Sequence, residues 1–425
     1  MSSVLIYAVS FILLFITPSV YAEVTTRVMT LQQAQSLALI KNPGLAAFSL
    51  EIRAKEAQAI QAGFFPNPEI GFTIENFGGS RDLRGFQGTE TTIQIGQMVE
   101  MGGKRLKRRY AATLERDLAN WDYEAKRADV LSEVTKAFIE VLTAQERLGL
   151  TEELVSLSEQ VFNTISARVT AGKVSPVEET KAGVALATVR IELERSKREL
   201  EAKRKRLAAI CGSTFPVFEK VEGQIDLLKS IPPAEQLDAL ISQNPDIARW
   251  SSEMEQRNAV LKLEKSKSIP DPTLSLGFRR LNETDNNAFV LGISIPIPLF
   301  NRNQGGVIEA QKRIAKAEEN RMSAKLQVLS ALSEAYQLLT SSYAEAATLK
   351  DKVLPGALSA FEAVREGYRQ GKFGYLDVLD AQRTFFEAKS RYIESLSAYQ
   401  KAAIDINRLI GEQFDVMRSA TKEKL

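Results

Sequence analysis

Pro66-Asn67-Pro68-Glu69-Ile70-Gly71-Phe72-Thr73-Ile74-Glu75 decides the fold, because the chain repeats its plan as Pro270-Asp271-Pro272-Thr273-Leu274-Ser275-Leu276-Gly277-Phe278-Arg279. In both stretches two prolines forbid a preceding helix from continuing, and apolar residues then alternate with polar or small ones, the period of a strand with two unlike faces. Each stretch has a return strand. Thr91, Ile93, Ile95 and Val99 share one side in the first copy, and Phe289, Leu291, Ile293, Ile295, Ile297 and Leu299 do so in the second. Other landmarks also recur about 200 residues apart: Asn42-Pro43 as Asn244-Pro245, Gly172-Lys173 as Gly371-Lys372, and Gly212 as Gly411. A period this long marks a duplicated half-domain rather than a solenoid.

Composition narrows the function classes. The chain has 425 residues, a formal net charge of +2, no histidine and a single cysteine, Cys211. Near-balanced charge gives no electrostatic case for a nucleic-acid partner. Without histidine the commonest general base and zinc ligand are missing, and one cysteine excludes an internal disulfide or a CxxC site. An enzyme would have to work with carboxylates, Lys or Tyr, so none is expected, and no cofactor is implied. Residues 1–22 carry no charge and an apolar run, Val4 to Thr17, followed by a small-residue exit. They read as a signal peptide cut after Ala22, although the usual basic residue before the apolar core is absent. No later run reaches the length of a membrane helix, so any crossing must use strands.

Each strand pair feeds a very long helical run, about 103–169 and about 304–369, extending roughly 100 Å at 1.5 Å per residue. Pro355 should bend the second. The first carries two adjacent seams, Val130, Val134, Ala137, Val141, Ala144, Leu148 and Leu131, Thr135, Phe138, Leu142, which predicts partners on both sides. After the turns at Gly172 and Gly371 the chain returns as shorter helices. A return helix plus the helix preceding its strand pair adds up to about 90 Å, so each long helix should run beside two shorter ones stacked end to end. The expected organisation is a signal peptide, 1–22; a first repeat, 23–212, with strands at about 68–78 and 88–100 and a hairpin at about 103–211; an equatorial connector, 213–233; a second repeat, 234–411, with strands at about 272–282 and 287–299 and a hairpin at about 304–410; and a tail, 412–425.

Such a chain is mainly α with a small β part, and four strands cannot span lipid alone, because their edges would leave backbone groups unpaired. Bacterial barrels use eight strands or more. Copies arranged about an axis would close the sheet and cover the seams; three copies give a twelve-strand barrel on a helical tube, while symmetry alone also admits two or four.

These features resemble the TolC-like outer-membrane efflux family over essentially 31–411. They include the repeated strand starts and the run Gly371-Lys372-Phe373-Gly374-Tyr375-Leu376-Asp377-Val378-Leu379-Asp380-Ala381. Gln97 to Arg105 and Pro296 to Asn303 are similar to its cobalt-zinc-cadmium resistance branch. The resemblance implies a homotrimer in outer-membrane lipid with a large periplasmic part, docked to a periplasmic adaptor and an RND-type inner-membrane pump. Its role would be a passive exit duct for divalent heavy-metal cations. A drug or type I protein export duct shares the fold, and a periplasmic coiled-coil adaptor or scaffold is the reading from another class.

Asp377 and Asp380 lie three apart at a helix start, hence on one face. They are either stacked carboxylate rings at the periplasmic aperture or acids favouring the helix dipole; the resemblance favours the rings and adds Glu178 as the first-copy counterpart. It also implies gating roles for Tyr368, Arg369 and Arg168, although Phe373 stands where the family pattern has an arginine. The turn residues Gly172, Lys173, Val174, Gly371, Lys372 and Phe373 are adaptor-contact candidates, against ordinary turn chemistry. Lys104, Arg105, Lys107, Arg108 and Arg109 sit at a helix N-terminus, where positive charge is unfavourable. They either face lipid headgroups or are solvated.

Overall fold

The computed structural model describes residues 28–411, so the expected signal peptide and tail lie outside the described residues. The first repeat runs β1 (Val28–Thr30), α1 (Leu31–Lys41), α2 (Pro43–Ala62), β2 (Glu69–Glu75), β3 (Glu90–Met98), α3 (Lys104–Thr170) and α4 (Pro176–Ile210). After β4 (Lys220–Glu222) come α5 (Ala234–Leu240), α6 (Pro245–Ser266), β5 (Thr273–Leu281), β6 (Asn286–Ser294), α7 (Gln304–Thr348), α8 (Leu354–Arg369) and α9 (Tyr375–Ile410).

The four long strands form one antiparallel sheet, β2-β3-β5-β6, which leaves β2 and β6 as unpaired edges. Register places Phe72, Ile93, Phe278 and Phe289 in one cross-strand row and Ile70, Ile95, Leu276 and Leu291 in the next. This face is bare: Phe289 is 86% exposed and Leu291 77%. The opposite face is small and polar, with Gly71, Gln94 and Gly277 in one row. β6 stops at Ser294, short of the expected 299, because Pro296 and Pro298 have no N–H to give a ladder.

The helices continue the order of the strands. α2 packs on α3, α3 on α6 and α6 on α7; in the other half α4 lies against α3, α3 against α9 and α9 against α8. Each long helix therefore has two shorter ones along it, and the two joins are built alike. Asn42 Oδ1 accepts from Leu45 N, capping α2, while its Nδ2 donates to Ile210 O at 2.9 Å at the end of α4. Asn244 accepts from Asp246 N at the start of α6 and donates to Leu409 O of α9, also at 2.9 Å. One amide thus satisfies orphan groups at two helix ends. Gly212 and Gly411 lie in the left-handed region, and a Cβ there would meet Lys41 O at 2.3 Å and Gln243 O at 2.7 Å.

The main core lies at this equator. Both seams of α3 are buried there: Val134, Ala137, Phe138, Val141 and Leu142 pack with Ala34 and Ala38 of α1, Val221 of β4, Leu207 of α4, and Leu396 and Ile404 of α9. The expectation that a single chain could not supply the seam partners is therefore corrected, since α1, β4, α4 and α9 fold back to enclose the middle of α3. What the chain leaves uncovered are the sheet edges, the apolar sheet face and flank residues such as Val177, Val184 and Ile191 of α4.

Pro355 is accommodated by a widened turn. Leu349–Val353 is a π-helical turn in which Leu354 N donates to Leu349 O, and the proline, lacking an N–H, follows immediately. Of the basic cluster, Lys104, Arg105 and Arg108 are tied into the protein, while Arg109 is exposed as the solvated reading expects. Lys104 is buried and donates to Ile269 O at 2.5 Å and Asp271 Oδ2 at 2.7 Å. Arg108 binds Glu100 and the carbonyls of Ala62 and Phe64, and Arg105 lies 3.7 Å over the Phe65 ring. Their chemistry braces the strand-to-helix junction.

Candidate functional site

The tip of the helical body is where the two hairpins turn, and both turns obey one rule. Gly172 N donates to Val169 O and Lys173 N to Arg168 O, each at 2.9 Å; Gly371 N donates to Tyr368 O at 3.0 Å and Lys372 N to Gly367 O at 2.8 Å. These are Schellman caps with glycine at the left-handed position, φ 68° and 79°. Ser175 then caps α4, accepting from Val177 N, with Pro176 in the first turn.

On the second hairpin Asp377 reaches back so that Oδ2 accepts from Gly374 N at 2.8 Å. The acid thus satisfies a helix-end donor and is still exposed, as is Asp380 one turn on. Gly172, Lys173, Gly371, Lys372 and Phe373 are exposed and Val174 is half-buried, so lysines flank the carboxylates at the tip. Phe373 folds over its own turn: a Cβ on Gly367 would meet its ring at 2.3 Å.

Two of the three gating candidates meet. Tyr368 is only 6% exposed and packs with Ile165, Ala182, Phe361, Tyr375 and Phe385. The Arg168 guanidinium of α3 lies 4.6 Å from its ring centre and donates to its carbonyl at 3.1 Å, joining the hairpins of the two repeats. Burial pushes the Tyr368 phenol above its ordinary value, with Arg168 pulling it down and Glu178 pushing it up. Glu178 differs from its second-copy counterpart. Its Oε2 is buried, and neither it nor the Tyr368 hydroxyl completes a hydrogen bond among the described residues. Arg369 stands apart, exposed and 3.6 Å from Glu366.

Sequence reasoning missed a second polar constellation, on the small-residue face of the sheet. Arg279 Nη1 donates to Glu90 at 2.8 Å, Nε to Thr92 at 2.9 Å and Nη2 to Glu75 at 3.3 Å. The available signal was a charge reversal, since Glu75 and Arg279 hold equivalent positions after the two proline pairs.

A sheet with a bare apolar face and open edges, continuous with a long helical body, defines a subunit of an outer-membrane channel whose helices stand in the periplasm. The outer membrane efflux protein family matches residues 34–213 and 237–412. The chain belongs to that family. It is 38% identical over 384 residues to the cobalt-zinc-cadmium resistance protein CzcC of Cupriavidus metallidurans, covering 90% of each chain. The nickel and cobalt resistance protein CnrC of the same organism is 27% identical over 295 residues, 69% of each chain. Among solved structures, a membrane protein from Pseudomonas aeruginosa superposes with a TM-score of 0.78 at 21% identity, covering 92% of both chains. CusC does so at 0.76 and 19% identity, covering 90% of this chain and 92% of its own.

Proposed function

We propose that three copies close β6 of one onto β2 of the next, making a twelve-strand barrel on a twelve-helix tube that carries divalent heavy-metal cations out of the periplasm. The observation that carries this reading is the shared order of sheet and helices. β2 with α2 and α4 forms one flank, β6 with α7 and α8 the other, so one head-to-tail contact closes every layer. The duct performs no chemistry. A periplasmic adaptor engages the tips at Gly172–Val174 and Gly371–Phe373, and an RND-type inner-membrane pump supplies the energy. Asp377 and Asp380 form cation-attracting rings at the aperture, and the Arg168–Tyr368 contact holds it narrow. The metal substrate is supported by the relatives named for cobalt, zinc, cadmium and nickel resistance. With no histidine and one cysteine, the chain offers soft metals no strong ligand set, which suits passage over capture. Deleting the gene and challenging cells with panels of metals and drugs tests the substrate. Sensitivity to zinc, cobalt or cadmium is expected, and sensitivity to drugs alone would make it a drug export duct.

A further inference from the structure

At the end of the sheet farthest from the helices, the loop between β2 and β3 is a built structure. Gly78 N donates to Gly85 O at 2.8 Å and Gly79 N to Leu83 O at 2.9 Å. Leu83, itself partly exposed, lies against the loop's glycines, so close that a Cβ on Gly88 would meet it at 2.6 Å. Phe77 and Phe86 stack at 6.4 Å, and Phe86 is nonetheless 72% exposed. Asn282 N donates to Thr89 O and its Nδ2 to Phe86 O, fastening the loop to the end of β5.

This loop presents Arg81 and Arg84 to solvent, and neither makes an ion pair among the described residues. Arg81 also has φ 56°, a left-handed conformation that a side chain adopts at a cost. Next to the loop, register puts Arg280 opposite Thr91, on the same face as Phe278 and Ile93 and one row beyond the apolar band. Arg280 bridges to Asp285 and Asn287. That ion pair is open to water and so holds the guanidinium only weakly against a stronger anion.

Aromatic rings and arginines together at the rim of a lipid-facing band fit a molecule that is apolar below and anionic above. Resting on the outer-membrane reading above, we propose that Arg81, Arg84 and Arg280 form a collar that binds the phosphates of the outer leaflet's phosphorylated glycolipid. Guanidinium groups suit the task because they bind phosphate oxygens in pairs. The pre-formed loop lowers the ordering cost of binding.

The test uses the full-length protein in lipid nanodiscs and purified lipid A as probe, either as the bis-phosphate or with both phosphates removed. Retention is read by native mass spectrometry and affinity by titration. Each basic group near an anionic surface contributes about fivefold, so Arg81→Ala/Arg84→Ala/Arg280→Ala should bind the bis-phosphate roughly a hundredfold more weakly. Wild type should bind the dephosphorylated lipid as weakly as the variant binds the bis-phosphate. The double variant Arg81→Ala/Arg84→Ala leaves Arg280 and its ion pair intact and should bind about twenty-five-fold more weakly, and wild-type binding by it also overturns the proposal. Arg302→Ala, at the opposite rim, should bind like wild type. Equal affinity for both lipids, or wild-type binding by the triple variant, overturns the proposal; so does competition by millimolar inorganic phosphate without any lipid preference. Insertion into lipid separates the two readings: a wild type that inserts as an oligomer but shows no phosphate preference refutes the collar alone, whereas one that does not insert refutes the duct.

Discussion

Four glycines end helices in the left-handed region, and the structure predicts that alanine will affect them unequally. Gly172 and Gly371 at the tip have nothing within 4 Å of an added Cβ. Their alanine variants carry only the backbone penalty, about 1 kcal/mol each. Gly212 has a similar φ, 78°, but its Cβ would lie 2.3 Å from Lys41 O, backbone that cannot swing aside. Gly212→Ala therefore adds an overpacking cost of about 1–3 kcal/mol to the same backbone term. Pushing Lys41 away also strains the neighbouring Asn42, whose cap on α2 stabilises by about 1 kcal/mol. The sum is about 3–5 kcal/mol, with Gly411→Ala slightly less, its contact being 2.7 Å to Gln243 O. Tryptophan fluorescence in detergent can follow thermal unfolding, since Trp121 and Trp250 lie in the helical body. Several scan rates are needed because unfolding of such an assembly is a rate process. The four variants should split by level in the molecule, equatorial against tip, and not by repeat. If Gly172→Ala loses as much as Gly212→Ala, the helix joins are not the tight splices described.

The junction brace gives a second test. Lys104→Met should destabilise by about 2–3 kcal/mol by stranding Asp271, and Asp271→Asn in the same chain should recover part of the loss in a double-mutant cycle of unfolding midpoints. Glu140 gives a pH dependence. Burial raises its carboxyl, but Lys203, Lys401 and Arg206 outweigh that and hold it below the usual carboxylate range. Its contribution should therefore be complete above the ordinary carboxylate value and vanish as pH falls through its lower folded value. Glu140→Gln should flatten that acid limb of the midpoint–pH curve. At the aperture, Asp380→Ala should reduce cation preference in bilayer reversal potentials while leaving the unfolding midpoint within about 0.5 kcal/mol. Asp377→Ala should reduce cation preference and also lower stability by about 1 kcal/mol, because its carboxylate caps α9.

Much of the fold was legible because it is written in periods and punctuation. Alternation with paired prolines gave the strands, and Gly172, Gly212, Gly371 and Gly411 gave the helix ends, since few other residues tolerate φ near 70°. What failed to show were properties of contacts. Lys104 and Arg108 looked available, yet besides Asp271 and Glu100 they bind carbonyls at Ile269, Ala62 and Phe64, which residue type does not mark. Helix lengths called for the return and preceding helices beside α3, without saying that α1, β4 and α9 would also close on its middle and cover the seams. Pro355 announced a disturbance but not its form, because the π turn depends on which carbonyl Leu354 N selects.

The tip was legible in place but not in division of labour. The duplication suggests equal roles, with Glu178 answering Asp377, yet the two hairpins are used differently. The first turns Arg168 and Glu178 inward onto Tyr368, placing a cation and an anion about one buried phenol. The second keeps Asp377 and Asp380 outward and covers its turn with Phe373. In the threefold duct proposed above, a contact that links hairpins within each chain would fix the width of the passage, and carboxylates facing out of the core would set its charge. Those two tasks ask for opposite burial, and the two hairpins divide it: the first turns its charges inward and the second keeps its acids exposed.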